Sequence, residues 1–240
     1  MTLHRNLSVA VLFAAAAIAQ AQPNCIVTIE ASGLNTWSSA DHPGALVMTQ
    51  TGGYSWHAHG DWVTPTWSTL LDSDMDADPF VTNSFSLTNN TAATQTFIVT
   101  ISVPIAPPVG GPTQLFGSVS GSLADANNAG GPPFWATTAT PTADSMYVPM
   151  IDGVNFNPGR LLLDPFTVNA NGPLFTVPFG GANFNNNAGP AAVLTIGIRN
   201  AFTLTPGDSI TLQSTFNLVP APGTLGLLAF AGIAVGRRRR

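Results

Sequence analysis

The sequence contains no lysine and a single cysteine. Charged residues make up 8% of its 240 positions, against about a quarter in ordinary soluble domains. One cysteine, Cys25, excludes an intrachain disulfide. The seven cations are all arginine, and five sit near the termini: Arg5, Arg237, Arg238, Arg239 and Arg240. The body between keeps Arg160 and Arg199 against all twelve acids, eleven Asp and Glu30, a formal charge of −10. Such a surface has no footprint for nucleic acid or anionic lipid, although it attracts divalent cations. No G-x-S-x-G elbow is present, and the clustered glycines fall in Pro/Asn-rich turns, not before helical patterns. Nucleophile-elbow hydrolases and phosphate-cradling loops are therefore not indicated. Glycosidase chemistry needs two facing carboxyls, and no spacing here picks out a pair.

What is present begins with two marked ends. Met1 to Ala21 has a basic head (His4, Arg5), an apolar stretch from Leu7 to Ala19, and Ala19-Gln20-Ala21. This is the order of a secretory signal with cleavage by signal peptidase after Ala21. The apolar run of about 13 residues is short of the roughly 20 that cross a bilayer. Pro23-Asn24 before Cys25 does not make a lipoprotein site.

From Gln22 to Leu218 the pattern has a period of two. Phe97, Val99, Ile101 and Val103 alternate with Thr and Ser, as do Ile210, Leu212, Phe216 and Leu218. Hydrophobic residues are 45% of the chain, enough for a core, and disorder is excluded. Thr and Ser dominate the outward positions, which suits strands and weakens helices. Turn clusters fall at 89–93, 107–112, 127–133 and 185–190. The expectation is all-β: one β-sandwich or jelly-roll-like ectodomain over 22–218, flanked by a signal helix and a C-terminal apolar helix. Strands are expected near 26–32, 45–50, 53–58, 65–71, 80–88, 95–104, 114–123, 145–150, 160–168, 174–178, 192–200 and 209–218. Segments 80–88 and 95–104 are expected to form a hairpin. In 115–123, Gly117 and Gly121 share a face with Leu115, Val119 and Leu123, so that strand should be either bent or closely approached by a neighbour.

Three constellations offer chemistry. Asp72, Asp74, Asp76 and Asp78 recur at alternate positions in an expected loop, resembling the opening of an oxygen-rich Ca²⁺ site. Ala77 and Asn83 replace the Gly and Glu of an EF-hand, leaving a looser calcium site or a solvated acidic turn. His57 and His59 share a strand face with Asp61. With His42 they are candidate Zn or Cu ligands, against plain polar positions on a solvent face. Trp37, Trp56, Trp62 and Trp67, with Tyr54 among them, could stack on sugar rings or fill the core.

The far end is Val219-Pro220-Ala221-Pro222, an apolar run within 224–236, and the terminal Arg237, Arg238, Arg239 and Arg240. About 13 residues span roughly 20 Å as a helix, less than the ~30 Å hydrocarbon core. The four arginines resist translocation and act as a basic stop. Together these parts resemble the PEP-CTERM protein-sorting signal, with Ala221 where that family has Glu. The resemblance covers residues 219–240. It implies transient inner-membrane anchoring, cleavage near Pro-x-Pro by an exosortase, and delivery to the cell surface or extracellular matrix. The leading functional expectation is a non-enzymatic structural or adhesive matrix protein associated with exopolysaccharide. A carbohydrate-binding module, with or without calcium, and a secreted hydrolase of unrecognised type are the alternatives.

Overall fold

The computed structural model describes residues 25–31, 36–52, 55–76, 79–125, 134–136, 145–163, 166–168 and 176–221. The expected terminal helices lie outside these residues. The described residues form sixteen strands and two short 3-10 turns, with no α-helix. The first eight strands are β1 (Ile26–Ala31), β2 (Trp37–Ser38), β3 (Val47–Gly52), β4 (Ser55–Val63), β5 (Trp67–Asp76), β6 (Phe80–Asn89), β7 (Gln95–Pro104) and β8 (Thr113–Ala124). The rest are β9 (Phe134–Ala136), β10 (Ser145–Ile151), β11 (Val154–Asn155), β12 (Leu161–Leu163), β13 (Phe166–Val168), β14 (Thr176–Gly189), β15 (Thr195–Leu204) and β16 (Ser209–Pro220).

They make two antiparallel sheets. One runs β11-β10-β15-β7-β1-β2, with β12 also on β10 and β9 linking β15 to β13. The other runs β14-β8-β16-β6-β5-β4-β3. Alternation along each strand puts the apolar set between the sheets: on β5, Trp67, Leu71 and Met75 are buried while Leu70, Asp72 and Asp74 are exposed. The two layers meet through aromatic rings, with Phe202 of β15 about 6.0 Å from Phe85 of β6. Tyr147, fully buried on β10, crosses the core and donates its hydroxyl to the Thr215 carbonyl of β16 at 2.7 Å. Burial pushes the Tyr147 phenol well above its ordinary pKa.

A polar row also runs through this core. Ser73, Asn83 and Ser214 stand opposite one another on β5, β6 and β16. Ser73 donates to Asn83 Oδ1 at 3.0 Å, and Ser214 reaches Asn200 Oδ1 of the other sheet at 3.5 Å. A one-residue slip of any of these strands would turn its polar member outward and drive the outer face into the core.

Segments 80–88 and 95–104 do not form the expected hairpin. β6 pairs with β5 and β16, whereas β7 pairs with β1 and β15 in the other sheet. The Asn-Asn-Thr corner crosses between layers, because each strand finds a long ladder elsewhere. The β15–β16 connection crosses beside it, and the buried Asn89 ties the two corners together. Its Nδ2 donates to Ala93 O and Leu204 O at 2.9 and 3.1 Å, and its backbone carbonyl accepts from Gly207 N at 2.9 Å. The turn expected at 185–190 is also displaced, since β14 continues through Gly189, absorbing the irregularity in two bulges.

At Gly117 the strand is closely approached. A Cβ there would overlap the Phe184 ring and lie 2.7 Å from Tyr147 Oη. Gly117→Ala should therefore cost about 1–3 kcal/mol by overpacking, read as a lower urea midpoint. Gly110→Ala, with nothing within 4 Å of the added Cβ, should leave the midpoint in place.

The β10–β11 turn carries an electrostatic clasp. Asp152, at φ +51°, accepts from the backbone N–H groups of Val193, Leu194 and Thr195 at 2.6–3.0 Å. Desolvation raises its pKa, but the three donors outweigh it and the net shift is downward from 3.8. Its stabilisation is thus complete above the unfolded value and lost as pH falls through the lower folded one. Asp152→Asn tolerates the same backbone and should cost about 1 kcal/mol at pH 7, a figure kept small by solvent exposure. In parallel pH-dependent urea melts, the gap between the two proteins should close below the folded-state pKa.

Candidate functional site

The outward side of the seven-stranded sheet carries a regular array of polar side chains. Strand pairing arranges its side chains in rows. One row reads Asn183, Ser118, Thr215, Thr82, Asp74, His57 and Thr49. The next reads Gly180, Ser120, Gln213, Ser84, Asp72, His59 and Val47. A third reads Pro178, Ser122, Thr211, Ser86, Leu70 and Asp61. Neighbours within a row are roughly 4.8 Å apart, and rows repeat every two residues, roughly 6.7 Å.

The acidic run was expected as a loop. Asp72, Asp74 and Asp76 instead belong to β5, while Asp78 lies outside the described residues. Their neighbours explain the difference: Leu71, Ser73 and Met75 face the core and pair with both flanking strands, so the backbone has a ladder on each side. Pairing also joins two motifs that were separate in sequence. His57 stands opposite Asp74, His59 opposite Asp72, and Ser55 opposite Asp76. His57 Nδ1 is 2.9 Å from Asp74 Oδ1 and 3.7 Å from Asp72 Oδ1, and Ser55 donates to Asp76 at 2.6 Å. His42 instead has its Nδ1 against Ser38 O at 2.9 Å, and it meets the ladder only across a pocket that it lines with His59 and Asp61. Among the described residues, no group of three His, Cys, Asp or Glu is arranged to hold a metal ion.

The rows divide the face chemically. β4 and β5 bring carboxylates and imidazoles. β6, β16, β8 and β14 bring hydroxyls and amides, as in the Ser118–Thr215 contact at 2.8 Å. Arg199 belongs to the other sheet, on β15, whereas Arg160 follows the 3-10 turn 157–159, which lies beside β14 where Asn187 donates to Pro158 O. Burial lowers the Arg199 pKa, and the Glu30 charge offsets part of that.

The tryptophans take the opposite direction. Trp67 is buried, and Trp37, Trp56 and Trp62 are partly buried against the core; Tyr54 lies outside the described residues. Trp37 of β2 lies 4.6 Å from the Trp62 ring, meets Trp67 edge-on at 5.9 Å, and stacks on His42 at 5.2 Å. They close one side of the sandwich and share no outward platform. Trp62 still borders a pocket of about 410 Å³ with His42, His59 and Asp61. A second pocket, about 330 Å³, holds Cys25 with Ser39 and His42. Burial raises the Cys25 thiol to about 12, so it is protonated at neutral pH and a poor nucleophile.

Of the residues expected to form a sorting motif, Val219 and Pro220 end β16, opposite Gln114 and Thr113. The Ala221 N–H donates to Pro112 O at 3.0 Å. The sheet thus runs past the expected body end at Leu218. The expected cleavage residues Ala19 and Ala21 lie outside the described residues, as do Pro222 and the basic stop of Arg237, Arg238, Arg239 and Arg240. The sequence had no signal for the hydroxyl rows, because Ser and Thr are common on any strand's wet face. No protein-family model and no curated protein matches this chain.

A Ca²⁺ ion bound to the Asp72–Asp76 row would stabilise the native state alone. Thermal melts in millimolar Ca²⁺ and in EDTA should then differ, and Asp74→Asn should abolish the difference. Coincident melts reject a calcium site on this row.

Proposed function

We propose that this is an exported surface or extracellular-matrix protein, non-enzymatic, with a structural or adhesive role beside exopolysaccharide. One observation carries the reading. An export signal at 1–21 is paired with Val219-Pro220-Ala221-Pro222, an apolar run and four terminal arginines, around a body with two cations. In this reading the body is a single sandwich, jelly-roll-like, between a signal helix removed by signal peptidase and an apolar helix over 224–236. The tail pauses in the inner membrane, where Arg237, Arg238, Arg239 and Arg240 hold its end, and an exosortase cuts near Pro-x-Pro. The absence of lysine and the protonated state of Cys25 suit a passive matrix component.

A carbohydrate-binding module is the second reading, favoured by the pocket beside Trp62 and the hydroxyl rows. Calcium on the Asp row would make that binding calcium-dependent.

Deleting Thr224 to Arg240 tests the sorting step. The shortened protein should accumulate unprocessed in the medium or periplasm, followed by cell fractionation and blotting. Surface display that survives the deletion overturns the proposal.

A further inference from the structure

The neutral half of the seven-stranded sheet contains a depression of about 360 Å³. Its lining includes Ser120 and Ser122 of β8, Thr211 and Gln213 of β16, and Pro178 and Phe179 of β14. Ser120 stands directly opposite Gln213, and Ser122 opposite Thr211, so two hydroxyl-bearing rows enter the depression side by side. The edge strand shapes its end. Opposite Ser120, β14 has Gly180, at φ +92°, which begins a bulge and places no side chain in the row.

The lining is neutral and rich in hydroxyls. Among the described residues, no ionisable side chain borders this depression, although the body as a whole is strongly acidic. Hydroxyls can donate and accept, and the Gln213 amide does both. Pro178, exposed on β14, supplies the apolar edge, while the Phe179 ring turns inward against Gly121. A pyranose presents the same combination: ring hydroxyls that donate and accept, and an apolar C–H face. An anionic ligand finds no cation in this lining, and the Asp row of β5 lies two strands from β16, roughly 10 Å away. A volume near 360 Å³ falls at the lower end of small-ligand sites, enough for a short stretch of sugar rings.

We infer that this depression binds a neutral hexose polymer through Ser120, Ser122, Thr211 and Gln213, with Pro178 against the sugar's apolar face. The inference deepens the proposed matrix role by naming the face and glycan class, and rests on that reading only for where the glycan is met.

Affinity electrophoresis of the full chain tests it, with dextran, laminarin and galactomannan as neutral probes and alginate as the acidic one. At least one neutral polymer should retard the protein and alginate should not. The double variant Thr211→Ala/Gln213→Ala should bind about tenfold more weakly, the loss of one to two hydrogen bonds. Val154→Ala, exposed on β11 of the other sheet, should bind as the parent does. Both substituted residues of the double variant are exposed, so its melting temperature should stay near the parent's and separate lost binding from lost folding. No retardation by any neutral polymer overturns the inference, as does retardation unchanged in the double variant or alginate binding with the same dependence. Surface delivery is scored separately, by fractionating cells that express the same protein. Delivery without glycan binding defeats this inference alone, and glycan binding without delivery defeats the sorting reading alone.

Discussion

Phe85, Phe97, Phe202 and Phe216 are buried between the two sheets, and with no disulfide available this dry contact holds the layers together. Burying each such ring contributes about 2–3 kcal/mol relative to leaving it in water. Tyr147 adds direction to that non-directional term. Its hydroxyl reaches the Thr215 carbonyl only because Gly117 leaves room beside Phe184. The inner rows therefore fix how the sheets lie on each other, and the outer rows follow as their complement.

The corners are the second constraint. Both the 89–95 and 204–209 connections pass from one layer to the other, and the Asn89 side chain bonds to carbonyls of both. A buried amide with several backbone partners is costly to leave unsatisfied. This holds β6 beside β16 and β7 beside β15, the pairings that join distant parts of the chain at the sandwich centre.

Function, in this architecture, falls to the surface left over. One half of the seven-stranded face carries carboxylates and imidazoles paired across β4 and β5. The other half carries hydroxyls and amides across four strands. With Arg199 on the other sheet, the face has a polar but cation-poor character, and the proposed glycan contact rests on that character. The tryptophans, the most conspicuous ligand candidates in the sequence, are spent mainly on packing.

The sequence by itself determined the all-β class and the burial of alternate positions in runs such as 95–104 and 209–218, and it marked the strand at Gly117 as bent or closely approached, a choice the packing of Phe184 and Tyr147 then made. These are properties of the pleated chain, whose side chains alternate regardless of partner. It also carried the signal-like and tail-like ends, which are contiguous motifs. Only the tertiary structure decided which strands pair, since that depends on competition among ladders far apart in the chain. So the expected hairpin became a crossing between layers, and an acidic loop became a strand opposite His57 and His59. The direction of the tryptophans was settled in the same way: parity along a strand leaves open which face is inward until the second sheet covers one of them.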